Sequence, residues 1–344
     1  MFTELSLPTD RAIRKAAKLL QSGEIVAFPT ETVYGLGANA LDAQAVGKIF
    51  LAKDRPADNP LIVHVASPEA AEALCRVTTQ ARRLMAVFWP GPLTLLLQKK
   101  PVIPAVTNAG LMSVAVRMPD HPVALRLLKA CGLPIAAPSA NRSGRPSPTT
   151  AQHVLEDMGG RIPLILDGGS CSVGLESTVL DLTGNIPVIV RPGGVTPEML
   201  FDVLPGVRVA ETAMRPLRAE ETAVSPGMRH AHYAPKGRLT VVEGEPDNAE
   251  AACKKLYREA ADRGQTACLL VAAERQARYD GYNTYVLGSL QAPETIARSL
   301  FSALRKMDKD GVEVILCEAM ETSGIGLAIM NRLSRAAAFR VVKA

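Results

Sequence analysis

Short strand-like runs that are apolar on nearly every residue alternate with amphipathic helical runs through the first two-thirds of this chain. Residues 61–66, 93–98 and 113–118 are such strands, and residues 43–53 carry apolar side chains at helical spacing. A strand that is apolar on both faces needs a covering layer on each side of its sheet. The pattern therefore predicts an α/β fold, a sheet covered by helices on both sides.

The character of the sequence changes after Pro205. Residues 208–237 carry prolines among charged and small residues, without a hydrophobic period, which predicts a linker. Beyond it, strand and helix patterns alternate again and predict a small Rossmann-like α/β domain. We therefore expect one domain at 1–207 and a second at 238–344, joined by a linker at 208–237.

The composition is that of a folded globular protein, with 344 residues, 47% hydrophobic and 21% charged. The net charge of +5 is compatible with an anionic substrate or with RNA, but 4% aromatic residues provide few stacking platforms for single strands. The six cysteines form no Cys-x-x-Cys pair, which favours buried thiols in a reducing cytoplasm. Neither a signal-peptide pattern nor a membrane-length apolar stretch is present, so we expect a cytoplasmic protein without membrane contact.

Two polar runs lie directly beside apolar strands. In the first, Lys53, Arg55 and Asn59 stand among prolines that stop a helix, so we expect all three on a shaped loop. Two cations and an amide on a fixed loop suit phosphate binding, although a single run of this kind is equally typical of a solvated basic turn. A second run, at 137–147, also follows a strand, and the two together favour an anion or nucleotide site.

Strand alternation places individual side chains. In residues 61–66, His64 points to one face and is expected to be partly buried, where a lone histidine is more often structural than functional. In residues 113–118, Ser113 and Arg117 share a face. An arginine in so apolar a strand needs an anion, which is either an internal carboxylate or the carboxylate of a substrate. The strand pattern leaves both possibilities open.

Two turns offer further polar groups. Ser177 follows a glycine-rich turn, where its hydroxyl could serve a ligand or cap the turn. Arg191 precedes a pair of glycines, an arrangement that suits phosphate or a plain reverse turn.

Several familiar signatures are missing. The chain has no phosphate-binding P-loop and no nucleophile elbow, and His230 and His232 lack the further ligands of a zinc site. The pair Gly324 and Gly326 is too short for a dinucleotide fingerprint. An enzyme built this way would work by positioning and charge neutralisation, without a covalent nucleophile.

A series of motifs, in order between about residues 11 and 204, resembles the threonylcarbamoyl-AMP synthases. The resemblance implies the YrdC-like α/β fold, a twisted mixed sheet with flanking helices. The second domain and the run at 225–235 are similar to the long, two-domain branch of that family. The motifs are Pro29-Thr-Glu-Thr-Val-Tyr-Gly-Leu-Gly37, Lys53-Asp-Arg-Pro56, Asn59-Pro-Leu-Ile-Val-His64, Trp89-Pro-Gly-Pro-Leu-Thr94, Val116-Arg-Met-Pro119, Ala137-Pro-Ser-Ala-Asn-Arg-Ser-Gly144, Glu176-Ser-Thr-Val179 and Arg191-Pro-Gly-Gly194.

The resemblance implies a nucleotidyltransferase that joins L-threonine, bicarbonate and ATP into threonylcarbamoyl-AMP and releases pyrophosphate, with Mg²⁺ accompanying ATP. The product serves threonylcarbamoylation of the tRNA adenosine next to the anticodon, a step that a separate tRNA-modifying transferase complex performs. Weak contact with tRNA is a further implied property.

The resemblance also implies two sets of binding residues. Lys53 and Arg55 would be the catalytic pair and act electrostatically, and the linker carrying Tyr233 would close as a lid with Gly227 as its hinge. Threonine would be held by Thr32, His64, Arg117, Ala137 (through its backbone) and Ser177. ATP would be contacted by Lys53, Arg55, Asn59, Ser113, Ser139, Asn141, Ser147, Arg191 and Tyr233.

Two alternatives compete with the synthase. One is a module that grips RNA through its basic surface, which the low aromatic content and modest charge disfavour. The other is a related adenylation that takes its acyl group from carbamoyl phosphate. Such proteins carry acylphosphatase-like and zinc-finger segments, and this sequence has neither.

Overall fold

The structure, a computed structural model, describes residues 2–56, 59–218, 221 and 233–344. These residues form two compact units, the first drawn from 2–143 and 147–221 and the second from 144–146 and 233–344. No helix in the described ranges is both long and apolar enough to cross a membrane.

The first unit combines helices with a mixed sheet. Its helices are α1 (Asp10–Gln21), α2 (Ala43–Lys53), α3 (Pro68–Glu72), α4 (Thr79–Phe88), α5 (Pro122–Cys131), α6 (Ala151–Met158) and α7 (Pro197–Val203). Its strands are β1 (Glu4–Ser6), β2 (Val26–Phe28), β3 (Gly35–Asn39), β4 (Ile62–His64), β5 (Leu93–Gln98), β6 (Ser113–Arg117), β7 (Ile135–Ala136), β8 (Leu164–Leu166), β9 (Thr178–Asp181), β10 (Val188–Arg191) and β11 (Arg208–Val209).

These strands form one sheet in the order β1-β8-β2-β3-β7-β4-β6-β5-β9-β10-β11. The sheet is mixed, because it contains parallel pairs such as β4 with β6 and antiparallel pairs such as β5 with β6. One buried apolar cluster includes residues of α2 and α4, and a second joins α1 to α5. Both contain strand residues, which confirms the predicted sheet with covering helices.

Lys53 requires a correction to the sequence prediction. It is the last residue of α2 and not a loop residue, because the helix ends one position later, where Asp54 adopts the left-handed conformation with φ of 53°. The two prolines act only beyond that point, so the helix delivers Lys53 on its final turn and the loop begins with Asp54.

The second unit is a parallel α/β domain, which confirms the predicted Rossmann-like pattern. Its sheet has the order β14-β13-β15-β12-β16, and every neighbouring pair is parallel. Its elements are β12 (Arg238–Glu243), α8 (Pro246–Asp262), β13 (Ala267–Ala272), β14 (Thr284–Gly288), α9 (Pro293–Lys309), β15 (Val314–Glu318), α10 (Gly326–Ala336) and β16 (Val341–Lys343).

The predicted linker at 208–237 is only partly described. Its first two residues are β11, which pairs with β10 in the first sheet. Gly227, His230 and His232 lie outside the described residues. Tyr233 belongs to the second unit, where it is buried with its ring 5.1 Å from that of Phe301. The proposed lid movement stays a prediction.

Candidate active site

The carboxyl ends of β4 and β6 bring two predicted threonine ligands together. These strands are parallel neighbours, and His64 is the register partner of Arg117 at their shared end. Both side chains are buried, with 4% and 3% of their surface exposed. The alternation that predicted a partly buried His64, and that grouped Arg117 with Ser113 on one face, thus leads to one shared position in the sheet.

Arg117 is anchored by three contacts. Its Nη1 donates to Thr32 Oγ1 at 2.9 Å and its Nε donates to the Gly91 carbonyl at 3.2 Å. Its Nη2 lies 2.6 Å from Glu31 Oε1, and both side chains are about 95% buried, with 4% and 5% exposed. The internal carboxylate that the sequence left open is therefore present, and it is Glu31.

The ion pair between Arg117 and Glu31 does not exhaust their hydrogen-bonding capacity. Beyond this 2.6 Å ion pair, neither Glu31 oxygen nor Arg117 Nη2 has a further hydrogen-bond partner within the described chain. Buried polar atoms in this state are costly unless a ligand or water completes them. The pocket can therefore accept a carboxylate at Arg117 and a hydrogen-bond donor at Glu31.

A second cluster joins Ser177 to Arg191. Arg191 Nε donates to the Ser177 carbonyl and its Nη2 donates to Ser177 Oγ, each at 3.1 Å. Thr94 Oγ1 lies 2.7 Å from Ser177 Oγ. A Cβ on Gly193 would come within 2.3 Å of the Thr178 nitrogen, so only glycine lets this turn pack against the strand.

His64 is neutral in the folded protein. Burial, reinforced by the Arg117 charge, lowers its pKa from 6.5 to about 3. Its Nδ1 lies 3.2 Å from the Ile62 carbonyl, which orients the ring. A neutral imidazole at this end of the pocket can donate or accept a hydrogen bond without adding charge.

The pKa of His64 predicts a loss of stability in acid. The unfolded chain takes up a proton as the pH falls below 6.5, whereas folded His64 stays neutral until about pH 3. Between pH 7 and pH 5 this group should lower the unfolding free energy by about 2 kcal/mol. Urea unfolding should show that His64→Gln removes this component, and equal pH dependence in the variant and the parent protein would contradict it.

The end of α2 is joined to the loop after β7. The Lys53 ammonium is buried and donates to the carbonyls of Ser139 and Asn141, and the Ser143 nitrogen donates back to the Lys53 carbonyl at 3.0 Å. Ser139 Oγ donates to Asn141 Oδ1. Lys53 thus holds the shape of the loop that carries two of the predicted ATP ligands.

Arg55 and Asn59 lie close together before β4. Arg55 Nη2 is 3.4 Å from the Asn59 carbonyl, and both residues are buried. Asn59 Oδ1 is buried without a hydrogen-bond partner among the residues described here. Ser113 opens β6, which runs parallel to β4, so it lies at the same end of these strands as Asn59.

The predicted ligands therefore divide between the two ends of β4 and β6. Arg117 lies four strand positions beyond Ser113, a separation of about 13 Å. Between them, on the same face, Ile62 and Ala115 form part of a small apolar cluster. The Ala137 nitrogen, which donates to the Ile62 carbonyl at 2.9 Å, lies beside this stretch. The face is long enough for an amino acid at one end and a nucleotide at the other.

Three contributing residues were missed by the sequence analysis. Glu31 pairs with Arg117, Thr94 contacts Ser177, and Glu176 accepts a hydrogen bond from Ser147. Glu31 lies between two threonines in the motif that begins at Pro29. An acidic residue in a polar run directly after an apolar strand was the signal that could have identified it.

Two predicted features, Tyr233 and magnesium, stay predictions. Tyr233 belongs to the second unit. Among the described residues, no group of three or more histidine, cysteine, aspartate or glutamate side chains could hold a metal ion. All six cysteines are buried free thiols, as expected, and burial raises the pKa of Cys171 to about 12.

Sequence families match both parts of the chain. Residues 18–193 match the family Sua5_yciO_yrdC, described as Telomere recombination, and residues 195–338 match the threonylcarbamoyl-AMP synthase C-terminal domain. The threonylcarbamoyl-AMP synthase of Pyrococcus abyssi is 48% identical over 332 residues, covering 96% of this chain and 95% of that protein. The Bacillus subtilis enzyme of the same name is 47% identical over 337 residues, covering 97% and 95%.

A solved structure also matches the whole chain. The crystal structure of Pyrococcus abyssi Sua5 complexed with L-threonine matches with a TM-score of 0.92 and 46% identity. The match covers 100% of this chain and 99% of that one.

Proposed function

The chain belongs to the threonylcarbamoyl-AMP synthases, and we propose that the face of β4 and β6 between Arg117 and Arg55 is where it carries out their reaction. The enzyme joins L-threonine, bicarbonate and ATP into threonylcarbamoyl-AMP and releases pyrophosphate. The product serves threonylcarbamoylation of the tRNA adenosine next to the anticodon. This placement rests on one observation. Arg117 and Glu31 form a buried ion pair at the end of the central strands, and both side chains keep hydrogen-bonding capacity beyond that pair.

Threonine would occupy the end of the site at Arg117. Its carboxylate would meet Arg117 Nη2, with Thr32 and Ser177 as hydroxyl partners and His64 as a neutral neighbour. The Ala137 backbone would border the same space. Support for this placement comes from the buried charges and from the L-threonine complex of the related Pyrococcus abyssi protein.

ATP would extend toward the opposite end. Arg55, Asn59 and Ser113 gather there, and the loop held by Lys53 presents Ser139 and Asn141. Ser147 would complete the nucleotide contacts there, and Arg191 would contact ATP from its position beside Ser177, between the two substrates. Tyr233 would close over the nucleotide, an assignment that rests on the sequence motif alone.

The reaction requires neutralisation of negative charge on the phosphates, and it requires no nucleophilic side chain. The threonine amine adds to bicarbonate with loss of water, and an oxygen of the carbamate then attacks the α-phosphorus. The bond to the pyrophosphate oxygen breaks as the new phosphorus–oxygen bond forms. Lys53 and Arg55, the predicted electrostatic pair, would neutralise negative charge that develops in this step, with Arg191 as a further nearby cation.

Magnesium enters this account as part of the substrate. Mg²⁺ prefers phosphate oxygens, water and one or two carboxylates to a cage of protein ligands. The described chain contains no carboxylate cluster that would hold the ion by itself, so MgATP is the form in which we expect it to arrive.

Two further inferences concern the partners of the enzyme and its compartment. We infer that a separate tRNA-modifying transferase complex receives the adenylate and that tRNA contact by this chain is weak, given its modest charge of +5. The buried free thiols suit a reducing cytoplasm.

Replacing Arg55 by alanine tests the ATP end of the site. Loss of its charge should lower pyrophosphate release at least about tenfold while the fold persists, because charge near the transferring phosphate stabilises the transition state. Arg142→Ala is the matched control, since Arg142 is half exposed and, among the residues that the structure describes, its side chain forms a surface ion pair with Asp54. Near-normal turnover of folded Arg55→Ala would refute the assignment.

A further inference from the structure

Thr94 presents a hydroxyl group on the face of the sheet that carries the proposed site. It is the second residue of β5 and is fully buried. Alternation along the strand puts Thr94 on the same face as Leu96. Leu96 packs with Ile62 and Ala115 in the apolar cluster between the two ends of the site. The antiparallel neighbour of β5 is β6, the strand that ends at Arg117.

The hydroxyl group of Thr94 has one hydrogen-bond partner among the residues that the structure describes. That partner is Ser177 Oγ at 2.7 Å, and Ser177 is also buried. The contact depends on the parallel pairing of β5 with β9, in which Thr94 is the register partner of Val179, two residues after Ser177. The sheet therefore holds the two hydroxyl groups together.

These two hydroxyl groups carry one more proton than the described part of the chain accepts. Each hydroxyl has one proton to donate and two lone pairs. Arg191 Nη2 lies 3.1 Å from Ser177 Oγ and, because a guanidinium only donates, it occupies one of the Ser177 lone pairs. The bond between Thr94 and Ser177 uses one hydroxyl proton, and the other has no acceptor within the described residues.

Two arrangements of the protons are compatible with this count, and substrate binding favours one of them. If Ser177 donated to Thr94, the Thr94 proton would stay buried without an acceptor beside the apolar cluster, which is unfavourable. If Thr94 donates, both lone pairs of Ser177 are occupied, and the Ser177 proton is available to a ligand. Ser177 borders the proposed threonine position, so an oxygen of the substrate can accept this proton.

We propose, building on the function proposed above, that Thr94 is a positioning residue, which fixes the Ser177 hydroxyl as a donor to a carboxylate oxygen of bound threonine. Thr94 itself does not touch the substrate. Because Arg191 and Thr94 occupy both lone pairs, Ser177 accepts no hydrogen bond from the ammonium or hydroxyl group of the amino acid.

Replacing Thr94 by valine tests this role. Valine keeps the shape and branching of threonine but cannot donate, so the Ser177 hydroxyl is no longer fixed. The Kd for L-threonine, measured by calorimetry without ATP, should rise about fivefold to tenfold, the worth of about one hydrogen bond. The KM for threonine should rise with it, while the KM for ATP stays within about twofold. Thr94→Ser keeps the hydroxyl and should restore the Kd to within about twofold of the parent value.

A double-variant cycle with Ser177→Ala gives a second readout. Ser177→Ala should raise the Kd for L-threonine at least as much as Thr94→Val does. In the Ser177→Ala background, Thr94→Val should add less than about twofold, because its effect passes through the Ser177 hydroxyl.

Thr107→Val is the matched control for loss of a buried threonine hydroxyl. Thr107 is fully buried, and its hydroxyl donates to the Ala40 carbonyl at 2.9 Å. The control should lower the urea midpoint and leave the Kd for L-threonine within about twofold of the parent value.

Three results would overturn the role of Thr94. They are equal affinity for L-threonine in Thr94→Val and the parent protein, effects of Thr94→Val and Ser177→Ala that multiply independently, and a Kd in Thr94→Ser as high as in Thr94→Val. A parent protein that binds no L-threonine would instead contradict the proposed function, and with it this role of Thr94.

Discussion

Replacing Arg117 by alanine is expected to lower kcat/KM for threonine by about a thousandfold or more, the largest effect of any single change in the site. The substitution removes the guanidinium that would bind the threonine carboxylate. It also leaves the Glu31 carboxylate buried without its counter-charge, which should cost about 3–5 kcal/mol of unfolding free energy. Steady-state pyrophosphate release and urea unfolding of the same preparation measure the two effects.

A double variant separates binding from stability. Glu31→Gln in the Arg117→Ala background removes the uncompensated charge, so it should recover much of the lost stability and none of the activity. Arg126→Ala is a control for loss of an arginine, because Arg126 is largely exposed where it pairs with Asp10. Threonine kinetics close to normal in the stable double variant would show that Arg117 does not bind the substrate.

Replacing Lys53 by methionine is expected to reduce adenylate formation at least about a hundredfold. The methionine keeps the side-chain volume but leaves the carbonyls of Ser139 and Asn141 without their charged donor. The loop that presents the nucleotide ligands should then shift, and displacements of about 1 Å can cost a hundredfold in rate. A loss of about 2–3 kcal/mol in unfolding free energy should accompany it.

The matched control lies on the same helix. Lys48 is partly exposed and pairs with Glu24 at 2.7 Å, so Lys48→Met should change stability by less than about 1 kcal/mol and leave turnover unchanged. Mass-spectrometric detection of the adenylate, with the KM for ATP, measures the effect. Equal rates in Lys53→Met and Lys48→Met would contradict the positioning role of Lys53.

Local periodicity was sufficient to predict the elements that carry the site. Alternation along β4 and β6 put His64 and Arg117 on inward faces, and the structure places them as register partners. The start of α2 at Ala43 agrees with the helical spacing of residues 43–53.

The partners of these residues could not be predicted in the same way. Glu31 meets Arg117 only because β2 and β6 belong to one sheet, and Thr94 meets Ser177 because β5 pairs with β9. Both contacts depend on strand order, which no local pattern encodes. Lys53 was assigned to a loop because the prolines were given more weight than the left-handed residue that ends the helix.

Outside the site, the sequence pattern did not predict the short, partly exposed strands. β1 and β16 are three-residue strands with partly exposed side chains, so neither shows the apolar run that identifies an inner strand.

The most direct test of the central claim is pyrophosphate release by the purified protein with MgATP, with threonine and bicarbonate each supplied or omitted. The synthase reaction predicts release only when both are present, together with a product of the mass of threonylcarbamoyl-AMP. Release that is independent of threonine, or none with all three substrates supplied, would contradict the account.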